Sequence, residues 1–174
     1  YLTNFAGETE AVSVEFTGGT TDTDLANFPA NSGWGDPAQG FTLSENISAT
    51  KAEVFIKRAT ADPSDVFLEV RSLTPRGTVV ATSNMIDSAT LSSSLAWTTF
   101  TFQNPASLTS GTTYYLRLRS IPDSATPFSG AVGTIHWGYQ FPGTYSGGTA
   151  YRYVTNSSDQ VLSSYDFSFR VYKK

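Results

Sequence analysis

The chain has 174 residues, 39% of them hydrophobic and 14% aromatic, with a formal charge of −4, a pI near 4.8 and no cysteine. That length holds one domain with a real core and is short for two, and the acidic balance sets aside nucleic acid and anionic membrane as partners. The missing thiols set aside disulfides, thiolate metal sites and cysteine nucleophiles, and no apolar run reaches transmembrane length, so no membrane insertion is expected.

Residues 1–10 read as an extended polar segment, and residues 11–174 as a single domain. Val12, Val14 and Phe16 alternate with Ser13 and Glu15, the period of two that marks a strand. This apolar stripe can be buried in its own sandwich or in the groove of a neighbouring subunit, which makes it a candidate assembly strand. From Thr17 to Gln39 the chain is rich in Gly, Asp, Asn and Pro and reads as a long irregular excursion. Phe41 and Leu43 open a second strand. Ala52, Val54 and Ile56 alternate in a third and Val66, Leu68 and Val70 in a fourth, and Pro75-Arg76-Gly77 turns into Thr78–Ser83. Residues 83–96 are the one place where a short helical turn is expected.

Trp97 to Ser120 is the most informative stretch. Tyr114, Leu116 and Leu118 share one face of a strand, and Tyr115, Arg117 and Arg119 the other. The spacing Leu108-x-x-Gly111-x-x-Tyr114 is that of a tyrosine corner, in which a tyrosine at a strand entrance bonds back to upstream backbone. Beyond it, Ile135, Trp137 and Tyr139 alternate with His136 and Gly138. Tyr151 and Tyr153 lie on a short strand, and Phe167, Phe169 and Val171 close the chain on a strand that is central or pairs with the first. About ten strands at regular spacing, with little or no helix, predict an all-β fold: a single antiparallel two-sheet β-sandwich of jelly-roll type.

No nucleophile motif accompanies His136, the only histidine, which reads as an ordinary strand residue. Asp166 reads as a polar, outward residue of the last strand. No carboxylate pair sits in a context that marks a glycosidase, and the expectation is a non-enzyme. Asp22, Asp24 and Asp36 share the long excursion; oxygen ligands grouped this way suit a structural Ca2+, with Asp22 and Asp24 as ligands, and equally serve as turn formers. No other cofactor is expected. Trp137, Tyr139, Phe141, Tyr145, Tyr151 and Tyr153 form an aromatic set suited to stacking on sugar rings, and Trp34 between two glycines is either a plug or an exposed contact; Trp34, Tyr139, Tyr145 and Tyr151 are the candidate ligand-binding residues, although inward-pointing Trp137, Tyr139 and Tyr153 would instead build the core. Asn46-Ile-Ser48 and Asn156-Ser-Ser158 fit the N-glycosylation acceptor pattern.

Several features in order carry a resemblance over about residues 39–172. They are Phe41-Thr-Leu43, the Val66–Ser72 strand, the Pro-Arg-Gly turn with Val79-Val-Ala-Thr-Ser83, Phe100-x-Phe102, Leu108–Tyr115, Trp137, Tyr145-Ser-Gly147-Gly148 and Tyr165–Phe169. Together they resemble the choice-of-anchor R type of extracellular β-sandwich domain. The resemblance implies an exported, non-catalytic surface module and supplies no active-site residues. A start at Tyr1 and a surface rich in Thr, Ser, Gly and Tyr fit a secreted chain whose leader has been removed, at the cell surface. Two functions follow as expectations: a structural or adhesive protein, self-associating or bound to other surface proteins and assembled as a filament subunit through its N-terminal strand, or a carbohydrate-binding module using surface aromatics.

Overall fold

The computed structural model describes residues 10–21, 34–59, 65–120, 135–154 and 159–174; of Trp34, Gly35, Ser120, Tyr153 and Val154 only the backbone is described. Within them are thirteen strands: β1 (Ala11–Phe16), β2 (Trp34–Thr42), β3 (Ile47–Arg58), β4 (Val66–Ser72), β5 (Val79–Thr82), β6 (Ala96–Leu108), β7 (Thr113–Ser120), β8 (Ile135–Trp137), β9 (Tyr139–Gln140), β10 (Ala150–Val154), β11 (Gln160–Leu162), β12 (Asp166–Phe167) and β13 (Phe169–Lys173). One 3-10 turn, Ser88–Thr90, falls inside the stretch expected to hold a helical turn. The fold is all-β.

Every strand pair is antiparallel. The five-stranded sheet runs β1-β13-β3-β6, with β8 beside β3, and the six-stranded sheet runs β11-β10-β2-β7-β4-β5; β9 and β12 form a short ribbon. The inward parity read from the sequence holds. Ala52, Val54 and Ile56 of β3, Leu68 and Val70 of β4, Leu116 and Leu118 of β7, and Phe169 and Val171 of β13 all lie in one buried cluster. Phe41 of the six-stranded sheet meets Phe169 of the five-stranded sheet with ring centroids 5.8 Å apart, so the two sheets face each other across that cluster.

The tyrosine corner is present. The Tyr114 hydroxyl accepts the Thr109 N–H at 2.9 Å. Gly111 takes φ +74, a left-handed conformation that favours glycine, and its N–H reaches the Leu43 carbonyl. The arch between β6 and β7 is thereby tied to the β2–β3 turn, where Asn46 Oδ1 accepts the Ser110 N–H at 2.8 Å.

Two expectations need correction. The excursion expected to run to Gln39 ends earlier, because β2 begins at Trp34. Its first residues lack alternation and carry Gly, Asp and Pro, yet Trp34 and Gly35 pair with β10, and Ala38 and Gln39 are flanked by β7 and β10, with an irregularity at Asp36, whose φ is 47. Asp166, expected to point outward, is buried. The 141–149 loop folds over it and supplies the Tyr145 N–H at 2.8 Å.

β1 pairs with β13 of its own chain, Glu15 opposite Arg170 and Phe16 opposite Phe169. Of the two placements open to the stripe, the structure has the internal one. Val14 and Phe16 pack on the core while Val12 stays exposed. The chain then continues across the ribbon, where Thr21 and Tyr139 exchange both backbone hydrogen bonds and the Gly19 N–H donates to the Ser168 hydroxyl.

Candidate functional site

Trp137, Tyr139, Phe141, Tyr145, Tyr165 and Phe167 gather at one corner. Trp137 stacks on Phe167, with centroids 4.9 Å apart, and donates its indole N–H to the Ser168 carbonyl at 2.7 Å. Tyr139 is buried, meeting Tyr165 edge-on. Tyr145 is wedged between Phe16 and Phe169, each 5.5 Å away. Its hydroxyl is buried without a hydrogen-bond partner, and burial, with the nearby Asp166 charge, pushes its pKa up to about 12. Tyr145 therefore serves the core. The exposed ring at this corner is Phe141, 60% accessible, lying on Tyr165 at 4.9 Å.

Below the corner the backbone is held by buried polar side chains. Gln39 sits inside the sandwich, where its Oε1 accepts the Phe167 N–H at 2.8 Å and its Nε2 donates to the Gly40 carbonyl at 3.0 Å. Gly148 passes so close to Gly40 that a Cβ would run into the Gly40 carbonyl, which is why the Gly147-Gly148 pair belongs there. Burial raises the pKa of Asp166, against the lowering effect of the Tyr145 and Thr144 backbone N–H groups.

On the outer face of the six-stranded sheet, Asp36 Oδ2 accepts from Arg117 Nη2 at 2.8 Å and lies 3.4 Å from Arg119 Nε. Glu69 bridges Arg71 at 2.7 Å and Arg119 at 3.3 Å, and Arg117 also donates to the Pro75 carbonyl. Arg117, Asp36 and Glu69 are buried. Burial pulls the Arg117 pKa down and the Asp36 charge works against it. The parity expected of Arg117 and Arg119 was right, but these charges are tied up in pairs. Tyr151 lies on this face too, half-buried and edge-on to Tyr115 at 5.5 Å.

The outer face of the five-stranded sheet holds a second ladder. Arg170 reaches Glu15 at 3.0 Å and Glu53 at 3.4 Å, and its guanidinium lies 4.0 Å from the Trp97 ring centre. Phe55 flanks Trp97 at 5.2 Å. Trp97 and Phe55 were not singled out as surface aromatics, yet their parity, opposite to Phe100 and to Val54, marks them as outward.

Asp36 faces two arginines and is a poor candidate for a cation. Asp22 and Asp24 lie outside the described residues, as do Asn156 and the side chain of Trp34; Asn46 is exposed at the β2–β3 turn. Among the described residues no group of three or more His, Asp or Glu side chains is placed to hold a metal, and no helix there is long and apolar enough to cross a membrane. No family model matches the chain, and no curated protein matches it.

Proposed function

We propose that the chain is a non-catalytic β-sandwich of the extracellular surface with a structural or adhesive role, of the choice-of-anchor R type. The observation that carries this reading is how the ionised groups are used. Asp36, Glu69, Arg71, Arg117 and Arg119 form ion pairs with one another across three adjacent strands of one sheet. Such a network specifies strand pairing rather than turning a reactive group toward a cleft. Self-association or binding to other surface proteins belongs to this reading. Assembly through the N-terminal strand would require β1 to leave its place beside β13 and take the same place in a neighbour, a strand exchange that keeps the β1–β13 pairing. Negative-stain microscopy of the native material tests the role: fibres or large assemblies support it, and discrete monomers without adhesive activity count against it. A structural Ca2+ on Asp22 and Asp24 extends the proposal. Chelator should then lower thermal stability, since a ligand of the folded state stabilises it by mass action.

A second reading, a carbohydrate-binding module, draws support from Phe141, whose exposed ring rests on Tyr165. An aromatic face fixed from behind suits stacking on a pyranose. In that reading Phe141→Ala abolishes retention on polysaccharide, while Tyr145→Ala chiefly loses stability; absence of wild-type binding on a glycan array rejects it.

A further inference from the structure

The outer faces of the two sheets differ in openness. Lys51, Arg170 and Glu15 on the five-stranded sheet keep 26%, 28% and 47% of their side chains accessible, against 9% for Arg117 and 7% for Asp36 on the six-stranded sheet. Strand register orders the open face into three rows, spaced roughly 7 Å apart along β3. Phe55 lies opposite Trp97, Glu53 lies between Arg170 and Thr99, and Lys51 lies between Tyr172 and Thr101. Their neighbours Ala52, Val54, Phe100 and Val171 belong to the core cluster, so all three rows point outward. None of these outward side chains is buried.

The rows differ in kind. At one end Trp97 sits 5.2 Å from Phe55, ring centre to ring centre. In the middle Glu53 accepts from the Thr99 hydroxyl at 3.0 Å and the Tyr172 hydroxyl at 2.6 Å, and pairs with Arg170 at 3.4 Å. At the other end Lys51 lies over the Tyr172 ring at 4.7 Å, as Arg170 lies over Trp97 at 4.0 Å. A cation thus holds each of these two rings in place, and little side-chain freedom is left to lose on binding.

We propose that this face is a glycan platform, on which a neutral polysaccharide chain runs from Trp97 and Phe55 at one end to Tyr172 at the other. The inference rests on the carbohydrate-binding reading and gives it a site other than Phe141. Polarity argues for a sugar over a protein. Protein interfaces put apolar groups at the centre and polar ones at the rim, whereas here the ion pair is central and the rings flank it. A protein laid over Glu53 and Arg170 would strip their water. Sugar hydroxyls replace that water, and sugar C–H faces rest on the rings. Charge balance argues for a neutral chain, because Lys51, Lys57 and Arg170 are equal in number to Glu10, Glu15 and Glu53. An open sheet face has no walls to enclose a small sugar, which favours an extended chain.

A glycan array of neutral, uronate-bearing and sulfated chains, probed with the full chain, tests this. Binding to neutral chains and not to acidic ones is expected. Trp97→Ala should weaken it by more than about tenfold. Thr99→Lys removes no buried side chain and sets a long cation in the middle row, so it should block binding with the far-UV circular dichroism unchanged. Binding that survives Thr99→Lys in a folded variant overturns the proposal, as does a preference for acidic chains. Binding that Phe141→Ala abolishes and both sheet variants keep overturns this site and leaves the carbohydrate reading standing. No binding to any chain removes the site and that reading together. A concentration-dependent dimer that Thr99→Lys disrupts would give the face to a second copy and overturn the glycan.

Discussion

Tyr114 and Asp166 are both polar and buried, and they act on stability in opposite ways. The Tyr114 hydroxyl is matched to one backbone donor at 2.9 Å, so Tyr114→Phe should cost about 1–2 kcal/mol, through the lost bond and the stranded Thr109 N–H. An unchanged denaturation midpoint would mean that the corner carries no load. Asp166 has its pKa raised by burial. Its contribution is therefore fully present below the unfolded-state value and is lost as pH rises through the folded value. Glu53 is the reverse case: burial alone would raise it, but the Tyr172 and Thr99 hydroxyls and the Arg170 guanidinium together hold it below the usual range. Its contribution is present above the unfolded value and is lost as pH falls through the folded one. Thermal unfolding against pH separates the two. Relative to wild type, Asp166→Asn should gain stability on going from acid to neutral pH, and Glu53→Gln should lose it. Parallel pH profiles for the two variants would contradict both assignments.

At the scale of elements, the β1–β13 pairing makes the N-terminal strand part of its own subunit's core. Deleting residues 1–16 should lower the unfolding temperature of a monomeric chain, because it bares the β13 edge and takes Phe16 from Tyr145. A truncated chain that keeps its stability and loses only assembly would argue for exchange of β1 between copies. Strands such as β3, β4 and β7 were legible because each turns one apolar face to the core and a more polar face away from it, and period-two alternation records that difference directly. The start of β2 was not legible. Gly35, Asp36, Pro37 and Gly40 are turn formers by local preference, and tertiary pairing overrides that preference: Ala38 and Gln39 are buried between neighbours, and Asp36, at φ 47, is held by Arg117. For the same reason the aromatic set was only half readable. Alternation places Trp137 and Tyr139 inward, but only the fold of the 141–149 loop decides that Tyr145 is buried and Phe141 is not.

At the scale of the whole molecule, the two sheets are fastened to each other as well as packed. Gln39 of β2 holds the Phe167 N–H of the β9–β12 ribbon at one margin, and that ribbon is joined to the five-stranded sheet by the Gly138 N–H, which donates to the Phe55 carbonyl of β3. At the other, the Ser83 hydroxyl accepts the Leu68 N–H of β4 at 2.9 Å while its backbone bridges to Phe102 of β6. With a single buried cluster between these fastenings, neither sheet can lose its inner face without exposing that of the other. Unfolding should therefore be all-or-none. In a Trp34→Phe background the remaining tryptophans, Trp97 and Trp137, lie on the five-stranded sheet and their fluorescence follows it, whereas far-UV circular dichroism follows strands of both sheets. The two midpoints in denaturant should coincide in that background. Ser83→Ala removes the side-chain fastening to β4 and leaves the backbone bridge, so it should shift both midpoints down together. A fluorescence transition separating from the circular dichroism transition in either protein would mean that the sheets melt independently, and that the margins do not couple them. Native-state hydrogen exchange applies the same argument strand by strand: central amides of β3 and β7 should open only with the global transition, and those of the edge strands β1, β5 and β11 well before it.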